Sequence, residues 1–192
     1  MDISKNKIII ISGVAGSGKD SVFSVLKKYP KKYCYSVSYT SRKPREGEVN
    51  GADYQFISQR EFDIAIEKNQ FLEWEQVHFD KYGTKKYDFE KIISSGKIPV
   101  LILDVKGMMS FKKKYDNVIS IFIVAPTIEE AMRRLKKRNT ETEKTLKKRI
   151  SRYKMEMSCA KDYDYIIVND DLERTQKELL SVIENCTKHL EE

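Results

Sequence analysis

Between Ile8 and Ser21 the chain reads IIIISGVAGSGKDS, an apolar, β-branched run that breaks into small residues and continues as SVFSVLKK, a helix-forming segment. This succession is strand, loop, helix. The spacing Gly13, four residues, Gly18, Lys19 is that of a phosphate-binding loop. In such a loop glycines let backbone N–H groups converge on phosphate oxygens, the helix N-terminus adds the positive end of its dipole, and the lysine adds a point charge. The pattern asks for Ser or Thr after the lysine, whereas Asp20 stands there, with Ser21 one place later. Taken alone, the stretch is equally a glycine-rich turn between a core strand and a helix, so the rest of the chain has to decide.

A chain of 192 residues is long enough for one well-cored α/β domain with small inserted lobes, and too short to suggest two independent domains. Its net charge of +7 suits a polyanionic partner, although much of it is lysine in segments such as FKKKY and RRLKKR, where a solvated exterior explains it. Cys34, Cys159 and Cys186 are odd in number and far apart, without metal-ligand spacing, which implies a reducing compartment. The apolar run after MDISKNK is far too short for a membrane span or a secretory signal core. The expectation is a soluble cytoplasmic protein with no membrane partner.

Along the chain, the first helix runs from about Lys19 to Lys28 and stops before Pro30, and Tyr33 to Val37 is a short strand. The polar segment SYTSRKPREGEVNGADYQF follows, with Arg42, Lys43 and Arg45 straddling Pro44. A proline between cations favours an extended or turn geometry, which offers fixed guanidinium forks to a phosphate. An isolated pair of arginines would read as a charged surface loop, but the hydroxyls of Ser38, Tyr54, Tyr82 and Thr84 surround the same stretch. The segment SQREFDIAIEKN has helical spacing, to which Phe71 could add a further apolar position, and FLEWEQV alternates as a strand. Glu73 lies between Leu72 and Trp74, either as ordinary alternation or as a buried acceptor that reads a base.

A short helix from Asp88 to Ser95 ends at Gly96, and IPVLILDV reads as a buried parallel strand with Asp104 at its carboxyl end. Ligands of open α/β sheets bind outside such strand ends, so Asp104 stands where it can serve a nucleotide or its Mg²⁺, or cap the next turn. The strand ISIFIVA ends at Pro126. Two helices then flank a polar break at Asn139 and Thr140, with Arg134, Arg138, Arg149 and Arg152 on either side. A solvated hairpin accounts for this charge, and so does phosphoryl transfer, whose loose transition state needs cations on a part that can close. The last strand, YDYIIV, meets Asn169, and a helix from about Leu172 to Cys186 turns Leu179, Leu180, Val182 and Ile183 toward the core.

SGVAGSGK, SVSYTSRKPREGEVNGADYQF, FLEWEQV with YGT, LILDV, RNTETEKTLKKR and IIVNDDL together resemble guanylate kinase, from about Lys7 to Glu184. The resemblance implies a P-loop NTPase-type parallel sheet core flanked by helices, with an inserted GMP-binding lobe and a helical lid. The core would be 1–37, 88–127 and 154–192, the lobe about 38–87 and the lid about 128–153. It also implies transfer of the γ-phosphoryl group of ATP to GMP, with Mg²⁺, and leaves acceptance of dGMP open. By motif position Glu73 would read guanine, whose N1–H and 2-amino group can both donate to one carboxylate, whereas adenine presents an acceptor at N1. Ser38 and Thr84 would meet the O6/N7 edge, and Arg42, Arg45, Tyr54 and Tyr82 the GMP phosphate, with Asp104 at the nucleotide site. Gly13, Val14, Ala15, Gly16, Ser17, Gly18 and Lys19, continuing to Asp20 and Ser21, would cradle ATP, with Asn169 at the adenine edge. Lys19, Arg42, Arg138 and Arg149 would carry the catalytic charge. No strong direct metal ligand stands out, the ion being expected near Ser21, Asp20 or Asp104.

The chain departs from the family pattern in several places. Val14-Ala15 replaces Pro-Ser, Ile102 and Lys106 replace an aspartate and a glutamine around Asp104, and Asn139 replaces a glycine. Asp20 matters most. A carboxylate about 6 Å from a phosphate charge repels it by roughly 0.7 kcal/mol in water and about 3 kcal/mol at an effective dielectric of 20. Contact with Mg²⁺ would reverse that sign, and with no metal an aspartate in a first helical turn is simply favourable with the dipole. A catalytically impaired, guanylate-kinase-like protein-interaction module is the alternative. Retention of Lys19, Arg138 and Arg149 weighs against it. A nucleic-acid binder is not expected, since no aromatic-interleaved basic stripe occurs.

Overall fold

The computed structural model describes residues 6–77, 79–136 and 143–188, without the side chains of 143–149. Two sheets organise it. A five-stranded sheet has the order β2-β7-β1-β8-β9, formed by Tyr33–Tyr35 (β2), Ile98–Ile102 (β7), Ile8–Gly13 (β1), Val118–Val124 (β8) and Tyr165–Val168 (β9). It is a parallel sheet flanked by helices, the P-loop NTPase type of core. A four-stranded sheet, β4-β3-β6-β5, is made by Gln55–Phe56 (β4), Tyr39–Thr40 (β3), Asp80–Lys85 (β6) and Phe71–Val77 (β5). By contact density the chain divides into two compact units, one of residues 1–8 and 31–118 and the other of 9–30 and 119–192.

In the first unit β2 and β7 pair in parallel, Tyr33 opposite Ile98 and Tyr35 opposite Val100. The helix Lys86–Ser94 (α3) buries Phe89, Ile92 and Ile93, and the helix Val105–Lys112 (α4) buries Met108 and Phe111. The small sheet has its own core. The helix Gln59–Glu67 (α2) begins on a capping box, Ser58 with Glu61, and sets the Phe62 ring on that of Phe71, 4.4 Å between centroids and 19° apart. Such reciprocal capping satisfies two otherwise orphaned N–H groups. Phe71, whose spacing could extend the α2 pattern, instead opens β5. Asn69, at φ 50°, turns the chain between them, and the Gln70 N–H donates to the Ala65 carbonyl.

Four consecutive isoleucines, Ile8 to Ile11, are fully buried along β1, and all seven residues of β8 are buried, those from Ile9 and from Ile119 onward belonging to the second unit. That is why neither strand alternates: each is covered on both faces. The first helix (α1) is regular only over Lys19–Phe23 and continues to Lys28 as a 3-10 turn. The helices Ile128–Lys136 (α5) and Glu143–Ser158 (α6) follow β8, and β9 leads into Leu172–Thr187 (α7). The stripe Thr175, Leu179, Ile183, Thr187 is buried, and each threonine hydroxyl donates to the carbonyl four residues back, so the polar ends of an i, i+4 face are satisfied internally. Leu180 and Val182 are half-buried.

Candidate functional site

The loop of Gly13–Lys19 is held by packing that tolerates only glycine. A Cβ on Gly13 would stand 2.5 Å from the Ile123 carbonyl oxygen, and one on Gly16 would overlap the carbonyl of Ala131. Gly16 and Gly18 also sit at φ 83° and 78°, where L side chains are strained. Ser17 N–H donates to Val14 O at 3.1 Å to close the turn. The Ser17 carbonyl is fixed from the other side by Asn169, whose Nδ2 donates at 2.7 Å, and by Arg134 Nη1 at 3.4 Å. Arg134 Nη2 donates to the Asn169 carbonyl at 3.0 Å, and Arg134 Nε is paired with Glu130 at 2.7 Å. The residue expected at the adenine edge thus braces the loop.

At the helix start Lys19 Nζ lies 3.2 Å from Asp20 Oδ1. The Asp20 side chain is 64% exposed and that of Lys19 29%, so the pair is a solvated one that an incoming polyphosphate can displace. Ser21 is exposed, and its carbonyl accepts from Ser24 and Gln176. Among the described residues no three His, Cys, Asp or Glu side chains gather as a metal site. The donor set at the loop is the Asp20 carboxylate and the Ser21 hydroxyl, hard oxygens that fit Mg²⁺ carried mainly by phosphate oxygens and water.

In the first unit the small sheet brings the expected acceptor residues together. Glu73 and Thr84 face each other across β5 and β6, and Glu75 faces Tyr82. Glu73 is 5% exposed and Thr84 1%. Glu73 Oε1 and Thr84 Oγ1 both lack a hydrogen-bond partner among the described residues. Burial pushes the Glu73 carboxyl up to about 7; Thr84 pulls against that rise, while the charges of Asp104 and Glu75 add to it. Asp104 caps α4, its Oδ1 accepting from the Gly107 N–H at 2.9 Å, so the capping role anticipated for it is real. A Cβ on Gly107 would come within 3.3 Å of Glu73 Oε2 and 3.5 Å of Asp104 Oδ1. The missing side chain keeps open the space between the two carboxylates.

Ser38 is buried, its carbonyl accepting from Gln55 N–H at 2.9 Å. Arg42 lies over the rings of Tyr54 and Phe56, 5.4 and 5.5 Å from their centroids, and Tyr54 meets Tyr82 edge-on at 5.9 Å. Its guanidinium is held by Glu48 above all, and also by Tyr82, which together keep it firmly protonated. Arg45 is exposed. A cavity of about 310 Å³ at the β5 edge touches Glu73 but is otherwise bounded by residues such as Trp74, Ser110 and Lys113. It includes none of the other expected acceptor residues.

Arg138, and Asn139 at the expected lid turn, lie outside the described residues. Arg149 is on α6 with its side chain outside them, and Arg152 is engaged by Glu156 at 2.6 Å. Sequence reasoning missed Glu48 and Gly107 and named Arg134 only among the charges of a hairpin. The signal for Glu48 was present: a carboxylate three residues after Arg45 in a Pro- and Gly-bounded turn. For Gly107 the signal was a glycine inside a helical stretch, where it costs stability unless space requires it.

Comparison with known proteins adds three findings. The family model described as guanylate kinase matches residues 5–186. The chain is 41% identical over 183 residues to a guanylate kinase of Helicobacter pylori, covering 95% of this chain and 89% of that protein. It is 42% identical over 182 residues to one of Malacoplasma penetrans, covering 93% of each. Among solved structures, a guanylate kinase from Anaplasma phagocytophilum superposes with a TM-score of 0.74 at 27% identity, over 95% of this chain and 86% of that one.

Proposed function

The chain belongs to the guanylate kinase family and phosphorylates GMP with ATP, and we propose that Glu73, Thr84 and Ser38 take the guanine base while Arg42, Arg45, Tyr54 and Tyr82 take its phosphate. In this reading residues of about 38–87 form the GMP lobe and about 128–153 the lid. Gly13 to Lys19 cradle the ATP phosphates, with Asn169 at the adenine. Arg138 and Arg149 supply lid charge to the transferred group. The protein is assigned to the cytosol and acts on free nucleotides without nucleic acid, dGMP being a second acceptor.

The observation that carries the acceptor assignment is the buried Glu73 carboxylate, one oxygen of which has no hydrogen-bond partner among the described residues, facing Thr84 across the β5–β6 pair. An unmatched carboxylate in a closed site is costly, and a guanine edge, with two donors side by side, relieves it where adenine does not. Little covalent chemistry falls to the protein: Lys19 and the loop amides hold charge on the donor, and Arg42 holds the acceptor phosphate. Asp20 or Ser21 would be the protein neighbour of Mg²⁺, whose contribution would be to neutralise charge on the polyphosphate.

The test is ADP formation with Mg·ATP and each of GMP, dGMP, AMP and UMP. Turnover is expected with the guanine acceptors alone and should fall at least a hundredfold in Lys19→Ala. Glu73→Gln should lower kcat/KM for GMP about a hundredfold or more, since the amide sets a donor against a donor. Retained guanine selectivity in Glu73→Gln would remove the assignment.

A further inference from the structure

Glu48 is a carboxylate that this scheme leaves without a task, yet it is among the most firmly held in the first unit. Its Oε2 accepts from Arg42 Nη1 and its Oε1 from Arg42 Nη2, both at 2.9 Å, and Oε2 also accepts the Arg45 backbone N–H at 2.7 Å. The Arg42 and Glu48 side chains are 12% and 20% exposed. Arg42 Nη1 gives a further bond to the Lys43 carbonyl at 2.7 Å, and the guanidinium carbon lies over the rings of Tyr54 and Phe56.

A guanidinium has two bidentate faces: the end-on pair Nη1/Nη2 and the side-on pair Nε/Nη2, each matched to two oxygens of a carboxylate or phosphate. In Arg42 the end-on pair is closed by Glu48. Tyr82 also meets the guanidinium, yet Nε is buried with no hydrogen-bond partner among the described residues, although buried donors are nearly always satisfied. The hydrogen bond that is missing is therefore one a ligand can make.

We propose that Glu48 is a positioning residue for the acceptor phosphate: by closing the end-on face of Arg42 it presents the Nε/Nη2 edge to the phosphate of GMP, which binds beside Glu48 and not in its place. The inference rests on the reading of Arg42 as a phosphate contact. A free arginine would have to lose its rotamer freedom when GMP binds, whereas one clamped by a carboxylate and stacked on two rings has already lost it. Glu48 also ties Arg42 to the backbone at Arg45, so the two cations flanking Pro44 are set in register by one side chain. Because the phosphate contact is present in the bound acceptor as well as during transfer, the effect belongs in KM for GMP far more than in kcat.

The experiment is steady-state kinetics together with calorimetric binding of GMP and of guanosine, on the full-length protein and on Glu48→Ala, Glu48→Gln, Arg42→Ala and the Glu48→Ala/Arg42→Ala pair. Glu48→Ala should raise KM for GMP about tenfold with kcat changed less than threefold and guanosine binding unchanged. Glu48→Gln, which still accepts one bond, should fall in between. In the Arg42→Ala background Glu48→Ala should add less than twofold. If Arg42→Ala leaves GMP binding unchanged, the reading of Arg42 fails first, and with it the premise. If Arg42→Ala weakens GMP and Glu48→Ala leaves it unchanged or tightens it, Glu48 is idle or stands in the phosphate's place, and the proposal is overturned. Equal losses for GMP and guanosine, or independent losses in the double variant, overturn it as well.

Discussion

Glu73 illustrates how one residue can couple recognition to protons. With its carboxyl at about 7 in the free protein, roughly half the molecules at neutral pH carry a proton that, on the proposed reading of Glu73, must leave before guanine can donate both of its hydrogens. Guanosine, which lacks the phosphate's own ionisation near this range, isolates the effect: its affinity should be about tenfold weaker at pH 6 than at pH 8. The dependence should flatten in Glu73→Gln, and a flat profile in the parent protein would contradict it. For folding the sign is opposite. A carboxyl whose pKa is raised above its unfolded value binds the extra proton in the native state. Its stabilising contribution is therefore full below about pH 4.5 and is lost as pH rises through 7. Glu73→Gln should be the more stable protein at pH 8, by up to about 3 kcal/mol, with the difference vanishing in acid, as urea unfolding at the two pH values would show. Asp20 is a gentler case. Its exposed pairing with Lys19 is worth at most about 1 kcal/mol, so Asp20→Ser should lower the Mg²⁺ concentration needed for half-maximal turnover by no more than about fivefold. An unchanged midpoint would leave Asp20 with no part in handling the metal-bound nucleotide.

At the scale of elements, the loop between β1 and α1 is shaped less by its own sequence than by two residues that reach it from 117 and 152 positions away. Asn169 is 5% exposed, and its amide is the nearest neighbour that a Cβ on Gly18 would strike. Asn169→Ala would leave the Ser17 carbonyl with a weaker bond from Arg134 alone, at a cost of about 1–3 kcal/mol. KM for ATP should rise several-fold while guanosine binding stays as it was; an equal change in both would place Asn169 elsewhere in the mechanism. This is also where legibility from sequence ends. The glycine spacing, the buried runs of β1 and β8 and the amphipathic stripe of α7 are periodic or local, and they announce themselves within a dozen residues. The residues proposed for the acceptor were named because their segments are distinctive, although spacing alone left Glu73 open between strand alternation and base reading. What could not be read are pairings between distant or irregular positions: Arg134 with Ser17, Glu48 closing one face of Arg42, Gly107 making room between Glu73 and Asp104. Segment ends were also displaced. β2 stops at Tyr35, two residues short of Val37, and α1 tightens into a 3-10 turn after Phe23. Such shifts are decided by tertiary hydrogen bonds that a local pattern does not contain.

For the whole molecule, a net charge of +7 is matched to the two polyanions it handles, and ligand binding feeds directly into its stability. A ligand that binds only the folded state stabilises by RT ln(1 + [L]/Kd), about 2.7 kcal/mol at a hundredfold excess over Kd. For a chain of this length that corresponds to a rise in Tm of roughly 5–10 °C. GMP at such a concentration should give this shift by differential scanning fluorimetry, and dialysis should reverse it. UMP, which lacks the paired donors that the proposed Glu73 contact requires, should give less than a fifth of it. Because exposed cations such as Arg45 are screened while the enclosed Arg42–Glu48 pair is not, 0.5 M salt should reduce the GMP shift only in part. In amide exchange, GMP alone should protect β5 and β6, and an unreactive ATP analogue alone should protect residues 13–23. Protection of the same segments by both ligands would mean that the base reader and the phosphate loop do not serve separate substrates, and would overturn the assignment of GMP to the small sheet.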